Sequence, residues 1–239
     1  MNSEEKNRLL TENQLIWSPV VANSAMNRER KATGVNSYEK EFRLHPGQFL
    51  EDCVRRNGQA SWLDLCCGQG SALIQTARYF ADKNLQEKVT LTGVDLLDAF
   101  QHVPASITCL QLQVASIVNW RPSHAYDLIT CSHGLHYLGD KLKAIAMAVQ
   151  SLRPDGLFIG QLDLQNIHIK GADSNRYIKS LLKQHAIAYN SRNKMISCKG
   201  PVTLQYDCRY LGADDNTGPN YTGQGAVTSF YDASPLTGD

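Results

Sequence analysis

The run Trp62-Leu63-Asp64-Leu65-Cys66-Cys67-Gly68-Gln69-Gly70-Ser71 constrains this 239-residue chain more than any other stretch. An apolar strand ends in Asp64, two glycines follow, and a helical pattern runs from Ser71 to Asp82. Glycines at such a junction let the chain turn tightly and let a ligand come close to the main chain. The helix behind them points unpaired N–H groups at whatever lies there. The expected unit is a strand–turn–helix that holds a cofactor, although a two-glycine turn alone also serves as an ordinary connection. A dinucleotide fingerprint needs a third glycine where Leu73 stands, and no Gly-Lys-Ser/Thr follows for a phosphate loop. Asp64 would repel an anion and attract an ammonium or a sulfonium.

A second acidic marker follows. Val89 to Asp95 reads as a strand ending in a carboxylate, about one strand–helix–strand unit after the turn. An acid there is placed to accept both hydroxyls of a ribose. Ile107 to Leu112 and Tyr126 to Cys131 read as further strands, the second apolar enough to be buried on both faces. Lys141 to Leu152 is an amphipathic helix stopped at Arg153-Pro154. Asp155-Gly156 gives a turn before a strand over Leu157 to Leu164, and Asp173 to Tyr189 reads as a helix. Met195 to Ser197 and Val202 to Leu211 read as two strands joined near Gly200-Pro201. Strands alternating with helical patterns imply parallel pairing and an α/β domain.

From Ser61 to Leu211 these features resemble the class I, Rossmann-like S-adenosylmethionine-dependent methyltransferases. Asp64 to Gly70 is similar to motif I, GVDLLDAF to motif II, and YDLIT…LRPDGLFIG to the fourth and fifth strands. The resemblance implies a seven-stranded, mostly parallel, doubly wound sheet ending in an antiparallel hairpin. It implies an enzyme using S-adenosyl-L-methionine. Asp64, Cys66, Gly68 and Gly70 would surround the methionine portion, Asp95 would hold the ribose, and Leu96 would pack on adenine. Many relatives bind the adenine amine with an acid after the third strand. Gln113-Val114-Ala115-Ser116 has none, which leaves the Ala115 backbone and the Ser116 hydroxyl for that contact.

The exit of the fourth strand, Cys131-Ser132-His133-Gly134-Leu135-His136-Tyr137, carries the most chemistry. Ligands of open α/β sheets bind beyond the carboxyl ends of strands, which puts Ser132 to Tyr137 beside the transferred group. The loop resembles the His-x-Leu-His loop of small-molecule methyltransferases rather than the Asn/Asp-Pro-Pro-Tyr/Phe loop of enzymes acting on nucleobases or glutamine amides. His133, His136 and Tyr137 are the candidate bases. Either histidine also reads as a structural residue bonded to backbone or packed on the cofactor. No metal site is expected, since neither a carboxylate nor a third histidine lies near the pair in sequence.

Residues 1–58 read as an N-terminal helical extension or lid, 59–212 as the core, and 213–239 as a C-terminal loop. Tyr38, Asn36 and Arg28 are the lid candidates, with Tyr38 toward the cofactor and the others toward the substrate; a plain surface covering is the alternative. The tail reads either as an ordered loop over the substrate mouth or as a free terminus. Asp214 and Asp215 would recognise a cationic substrate there, which slightly favours an amine.

Composition narrows the partners. No apolar run reaches the roughly 18 residues of a membrane span. The polar start MNSEEKNRLL is unlike a secretion signal. A net charge of +1 without a dense basic tract makes no electrostatic case for nucleic acid. Seven cysteines, an odd number with no Cys-x-x-Cys, suit a reduced, cytoplasmic protein. The expected function is methyl transfer to a nitrogen or oxygen of a small molecule or peptide. A non-catalytic S-adenosylmethionine-binding module and a nucleotide-binding oxidoreductase are the alternatives, and the oligomeric state stays open.

Overall fold

The computed structural model describes residues 9–22 and 29–233. Short helices α1 (Glu12–Leu15), α2 (Pro19–Ala22) and α3 (Tyr38–Phe42) lead into α4 (Pro46–Asn57). Proline at its first position and Gly58, at φ 78°, just past its end bracket α4, the usual asymmetry of helix ends. Five parallel strands follow: β1 (Ala60–Leu65), β2 (Val89–Asp95), β3 (Leu110–Val114), β4 (Tyr126–Cys131) and β5 (Leu152–Gln161). β6 (Ile167–Lys170) leaves this sheet, while β7 (Ala188–Asn190) and β8 (Met195–Lys199) close it as an antiparallel hairpin. The order is β3-β2-β1-β4-β5-β8-β7.

The middle strands are buried on both faces, so they read as apolar runs rather than alternating ones. Trp62, Leu128 and Ile159 enter one core with Leu50 of α4 and with Leu73 and Phe80 of α5 (Ser71–Asp82). Their neighbours Leu63, Ile129 and Phe158 enter the opposite core. There they meet Leu142 and Ile145 of α6 (Lys141–Gln150) and Ile178 and Leu182 of α7 (Ser174–Gln184). The chain leaves β1 toward β2 on one side and returns to β4 on the other. The carboxyl ends of β1 and β4 therefore part at the switch point where ligands of such sheets bind.

Several boundaries differ from the sequence reading. The hairpin turns at residues 191–194, not at Gly200-Pro201. Asn190 and Asn193 accept from the backbone of Arg192 and Met195 through their side chains, and Lys194 takes φ 56°, so the turn chemistry lies there. Val202 to Leu211 is irregular up to Cys208 and then enters β9 (Arg209–Asp214). α7 stops at Gln184 because Ala186 takes φ 55°, which frees Ala188–Asn190 to pair with β8. The Asp155-Gly156 turn is absorbed into β5 as a register shift against Tyr126 to Leu128. β3 begins at Leu110, where pairing with Leu91 starts. Residues 96–109 and 115–125 cross between strands without a helix.

A second sheet, in the order β6-β10-β9, uses β10 (Thr228–Asp232). β9 spans the expected boundary at residue 212, so the tail shares a sheet with β6. This sheet braces the loop after β4. Buried Lys141 donates from Nζ to the carbonyls of Leu138 and Val227 and to Ser229 Oγ at 2.8, 2.6 and 3.0 Å. Leu10 and Ala213 exchange backbone hydrogen bonds, tying the N-terminal segment to the same sheet.

Candidate active site

The glycine turn and the second acidic marker meet. Cys66, Gly68 and Gly70 take φ values of 57°, 59° and 74°, folding the chain tightly between β1 and α5. Gly68 N donates to Asp95 Oδ2 at 2.8 Å, and Leu97 N donates to Oδ1 at 3.1 Å. The carboxylate thus locks the turn to the end of β2. The loop after β4 lies against the same turn at Gly134. A Cβ there would sit 2.4 Å from Cys66 Cβ and 2.9 Å from Cys131 Sγ, so no side chain fits.

Asp64 does not reach the pocket. It is fully buried at the end of β1, accepting from Tyr38 Oη on both oxygens at 2.9 and 2.8 Å and from Thr130 Oγ1 at 2.6 Å. Burial pushes its carboxyl up to about 7 against the pull of these donors. Asp64 therefore meets the pocket only through Tyr38, which lines it. The side chain of Ser37 caps α3 and starts the helix that presents Tyr38.

A pocket of about 270 Å³ opens at the switch point. One end is formed by Tyr38, Cys66, Cys67, Gly68, Asp95, Leu96 and Ser116. The other is formed by Ser132, His133, Tyr137 and Leu138. The N-terminal segment adds apolar Leu15, Ile16 and Val21 beside the charged Glu12 and Arg30, and Thr222 and Gln224 complete the lining. Tyr137 Oη donates to Gln224 Oε1 at 3.3 Å. The Ser132 hydroxyl is buried without a hydrogen-bond partner among the described residues.

His133 stands at φ 58°, a left-handed conformation uncommon for a residue with a side chain. Its backbone N–H donates to Gln161 Oε1 at 2.9 Å. Its Nε2 lies 2.6 Å from Glu41 Oε1, which also accepts from Gln161 Nε2 at 2.7 Å. Glu41 Oε2 pairs with Arg30. Burial and the Arg30 cation push the His133 imidazole down to about 4. The Tyr221 ring stacks over it, 6.4 Å between centroids, held by its own N–H on buried Asp163.

Other expected residues lie elsewhere. His136 is fully buried outside the pocket lining, and burial, His133 and Lys141 push it down to about 3. Its two ring nitrogens have no partner among the described residues, and it packs edge-on to Tyr221. Gly70 caps α5, and Ala115 N donates to the Asp95 carbonyl; neither lines the pocket. Asn36 accepts from Lys31 N and lies outside it as well. Asp214 and Asp215 are also outside: Asp214 accepts from Asn216 N, and Asp215 accepts from Ser18 Oγ at 2.6 Å. Both hold Asn216 in the turn after β9, Asp215 through the Asn216 side chain. Arg28 lies outside the described residues. The sequence reading missed Glu41, Gln161, Arg30 and Gln224, which carry no local motif. Among the described residues there is no metal-binding cluster, and no helix is long and apolar enough to cross a membrane.

Residues 38–195 match the family model of a methyltransferase domain. No curated protein matches the chain. Among solved structures it is similar to an S-adenosylmethionine-bound amino pentose methyltransferase from Micromonospora echinaspora. That match has 21% identity and a TM-score of 0.35, covering 52% of this chain and 55% of that one. A sugar N-methyltransferase from Streptoalloteichus is 22% identical, with a TM-score of 0.34, covering 48% of this chain and 46% of that one. The chain thus spans about half the length of these two. An N-methyltransferase from Bradyrhizobium japonicum, solved with S-adenosyl-L-homocysteine, is 14% identical, with a TM-score of 0.41, covering 78% of this chain and 95% of that one.

Proposed function

The chain belongs to the methyltransferase-domain family, and from that premise we propose that it transfers a methyl group from S-adenosylmethionine to an oxygen or nitrogen of a small organic molecule. One observation carries the reading. A single pocket joins the Cys66–Gly68 turn and Asp95 to the Ser132–Tyr137 loop, so a cofactor and an acceptor would meet inside it.

The residues present fit the cofactor. Asp95 offers an acceptor to ribose hydroxyls, Leu96 an apolar face to adenine, and Ser116 a hydroxyl. The Cys66–Gly68 backbone lets the methionine portion approach closely, with Tyr38 above it and the buried Asp64 behind. When bound, S-adenosylmethionine supplies an electrophilic methyl group. The protein contributes proximity and orientation, holding the acceptor in line and keeping water out. The N-terminal segment acts as a lid through Leu15, Ile16 and Val21. It gives the acceptor an apolar wall that selects an apolar body. Asp214 and Asp215 give no ground for preferring a cationic acceptor, because they lie outside the pocket. His133 is the base available to an acceptor that must lose a proton.

The test measures S-adenosylhomocysteine release from paired hydroxyl and amino acceptors on apolar aromatic and aliphatic skeletons. Acceptor-dependent release supports the reading. Tight S-adenosylmethionine binding with no release across the panel supports a binding module instead.

A further inference from the structure

We infer that Glu41 is a positioning residue: it fixes His133 as the Nε2–H tautomer and leaves Nδ1 to take the proton of a hydroxyl acceptor. The inference rests on the methyl-transfer reading and narrows its acceptor to oxygen.

The geometry is that of an oriented base. Glu41 Oε1, 2.6 Å from His133 Nε2, accepts only and therefore requires the proton on that nitrogen. The neutral ring then has its lone pair on Nδ1. Among the described residues the ring's one polar contact is the Glu41 pair at Nε2, and the side chain lines the pocket. The backbone of His133 is held separately, by Gln161, at a φ that few residues adopt. Gln161 in turn donates to the same Glu41 oxygen, so ring and backbone are oriented by one closed network. Every acceptor site of Glu41 used here faces a donor: His133 and Gln161 on Oε1, Arg30 on Oε2. The carboxylate is therefore committed to holding the imidazole rather than to touching substrate.

An amine that binds neutral needs little help to attack a sulfonium methyl. A hydroxyl is a poor nucleophile until its proton has somewhere to go. In the proposed step the acceptor oxygen bonds the methyl carbon as the carbon–sulfur bond breaks, its electron pair staying on sulfur. The hydroxyl proton passes to His133 Nδ1. One positive charge leaves the sulfonium and one appears on the imidazole beside the Glu41 carboxylate, and the burial and Arg30 cation that hold this ring near 4 make it give the proton up readily. Proton loss to solvent then restores the neutral ring.

The three donors around Glu41 also define its test. Glu41→Gln supplies one oxygen and one NH2 where three donors converge. Neither Arg30 nor the Gln161 amide can accept from that NH2 without turning round. The imidazole can, by moving its proton to Nδ1, and this removes the base. The experiment is long-range 1H–15N NMR of the 15N-histidine-labelled protein near neutral pH, with the His133 signal assigned by its loss in His133→Asn. We expect the wild type to show neutral Nε2–H, Glu41→Gln to show Nδ1–H, and Arg30→Gln to keep Nε2–H. An Nδ1–H or doubly protonated ring in the wild type would overturn the inference, and so would an unchanged tautomer in Glu41→Gln. If Arg30→Gln changed the tautomer as Glu41→Gln does, the network would be a structural staple only. Titration of the same samples with S-adenosylmethionine keeps the two readings apart, because failure to bind it sinks the methyl-transfer reading whatever the tautomer.

Discussion

The two ends of the pocket are assembled in opposite ways. The end proposed for the cofactor comes from two adjacent strands and their exits: Cys66 to Gly68 after β1, and Asp95 and Leu96 at the end of β2, joined by the Gly68–Asp95 hydrogen bond. The end proposed for the acceptor is gathered from the whole chain. Leu15, Arg30, Glu41, His133, Gln161 and Gln224 come from six separated segments, held by the second sheet and by networks rather than by one motif. A local unit binds what many chains of this fold bind, while a composite one is free to vary with the substrate. Damage to the first end should therefore appear in cofactor affinity, and damage to the second in turnover.

The largest effect should come from His133→Asn. Turnover of a hydroxyl acceptor is expected to fall about 100- to 10,000-fold, with S-adenosylmethionine affinity unchanged; calorimetry beside a turnover assay separates the two, and an equal loss of both would break the division. Asp95→Ala strikes the other end. It removes the acceptor of Gly68 N and the proposed ribose contact, and affinity for S-adenosylmethionine should weaken about 10- to 100-fold, as expected for a hydrogen bond to a charged group. Ile16→Ala trims the apolar wall. It should raise the acceptor KM about 5- to 30-fold, with kcat nearly unchanged, matching the roughly 1–2 kcal/mol of a few methylene groups.

The smallest effect concerns the buried acid beneath Tyr38. The Asp64 carboxyl near 7 lies above its unfolded value of about 4, so the folded state holds this proton more tightly. Its stabilising contribution is full below about pH 4 and is lost as pH rises through about 7. Asp64→Asn removes that dependence. Thermal unfolding should show the variant gaining on the wild type between about pH 4 and about pH 7. A constant gap would mean that Tyr38 and Thr130 keep Asp64 ionised throughout.

Legibility in the sequence followed the same division. The central strands β1 and β4 announced themselves because burial on both faces makes them nearly continuous apolar runs, and the cofactor turn because glycine and acid sit at fixed local offsets. The hairpin was misplaced because Gly200-Pro201 is a strong turn signal, while the actual turn depends on Asn190 and Asn193 bonding their own backbone. The second sheet went unseen because β6, β9 and β10 are short and β10 reaches back 62 residues to pair with β6. Asp64 was expected at the ligand because nothing in its neighbourhood reveals that Tyr38, 26 positions earlier, covers it. Glu41 and Gln161 belong to His133 only through the fold. Their separation from it leaves no spacing to read.

The most direct measurement is calorimetric titration of the protein with S-adenosylmethionine, with NAD as the comparison ligand. The structure predicts saturable S-adenosylmethionine binding that Asp95→Ala weakens and His133→Asn preserves, and no NAD binding. Binding of NAD without S-adenosylmethionine, or S-adenosylmethionine binding indifferent to Asp95, would contradict it.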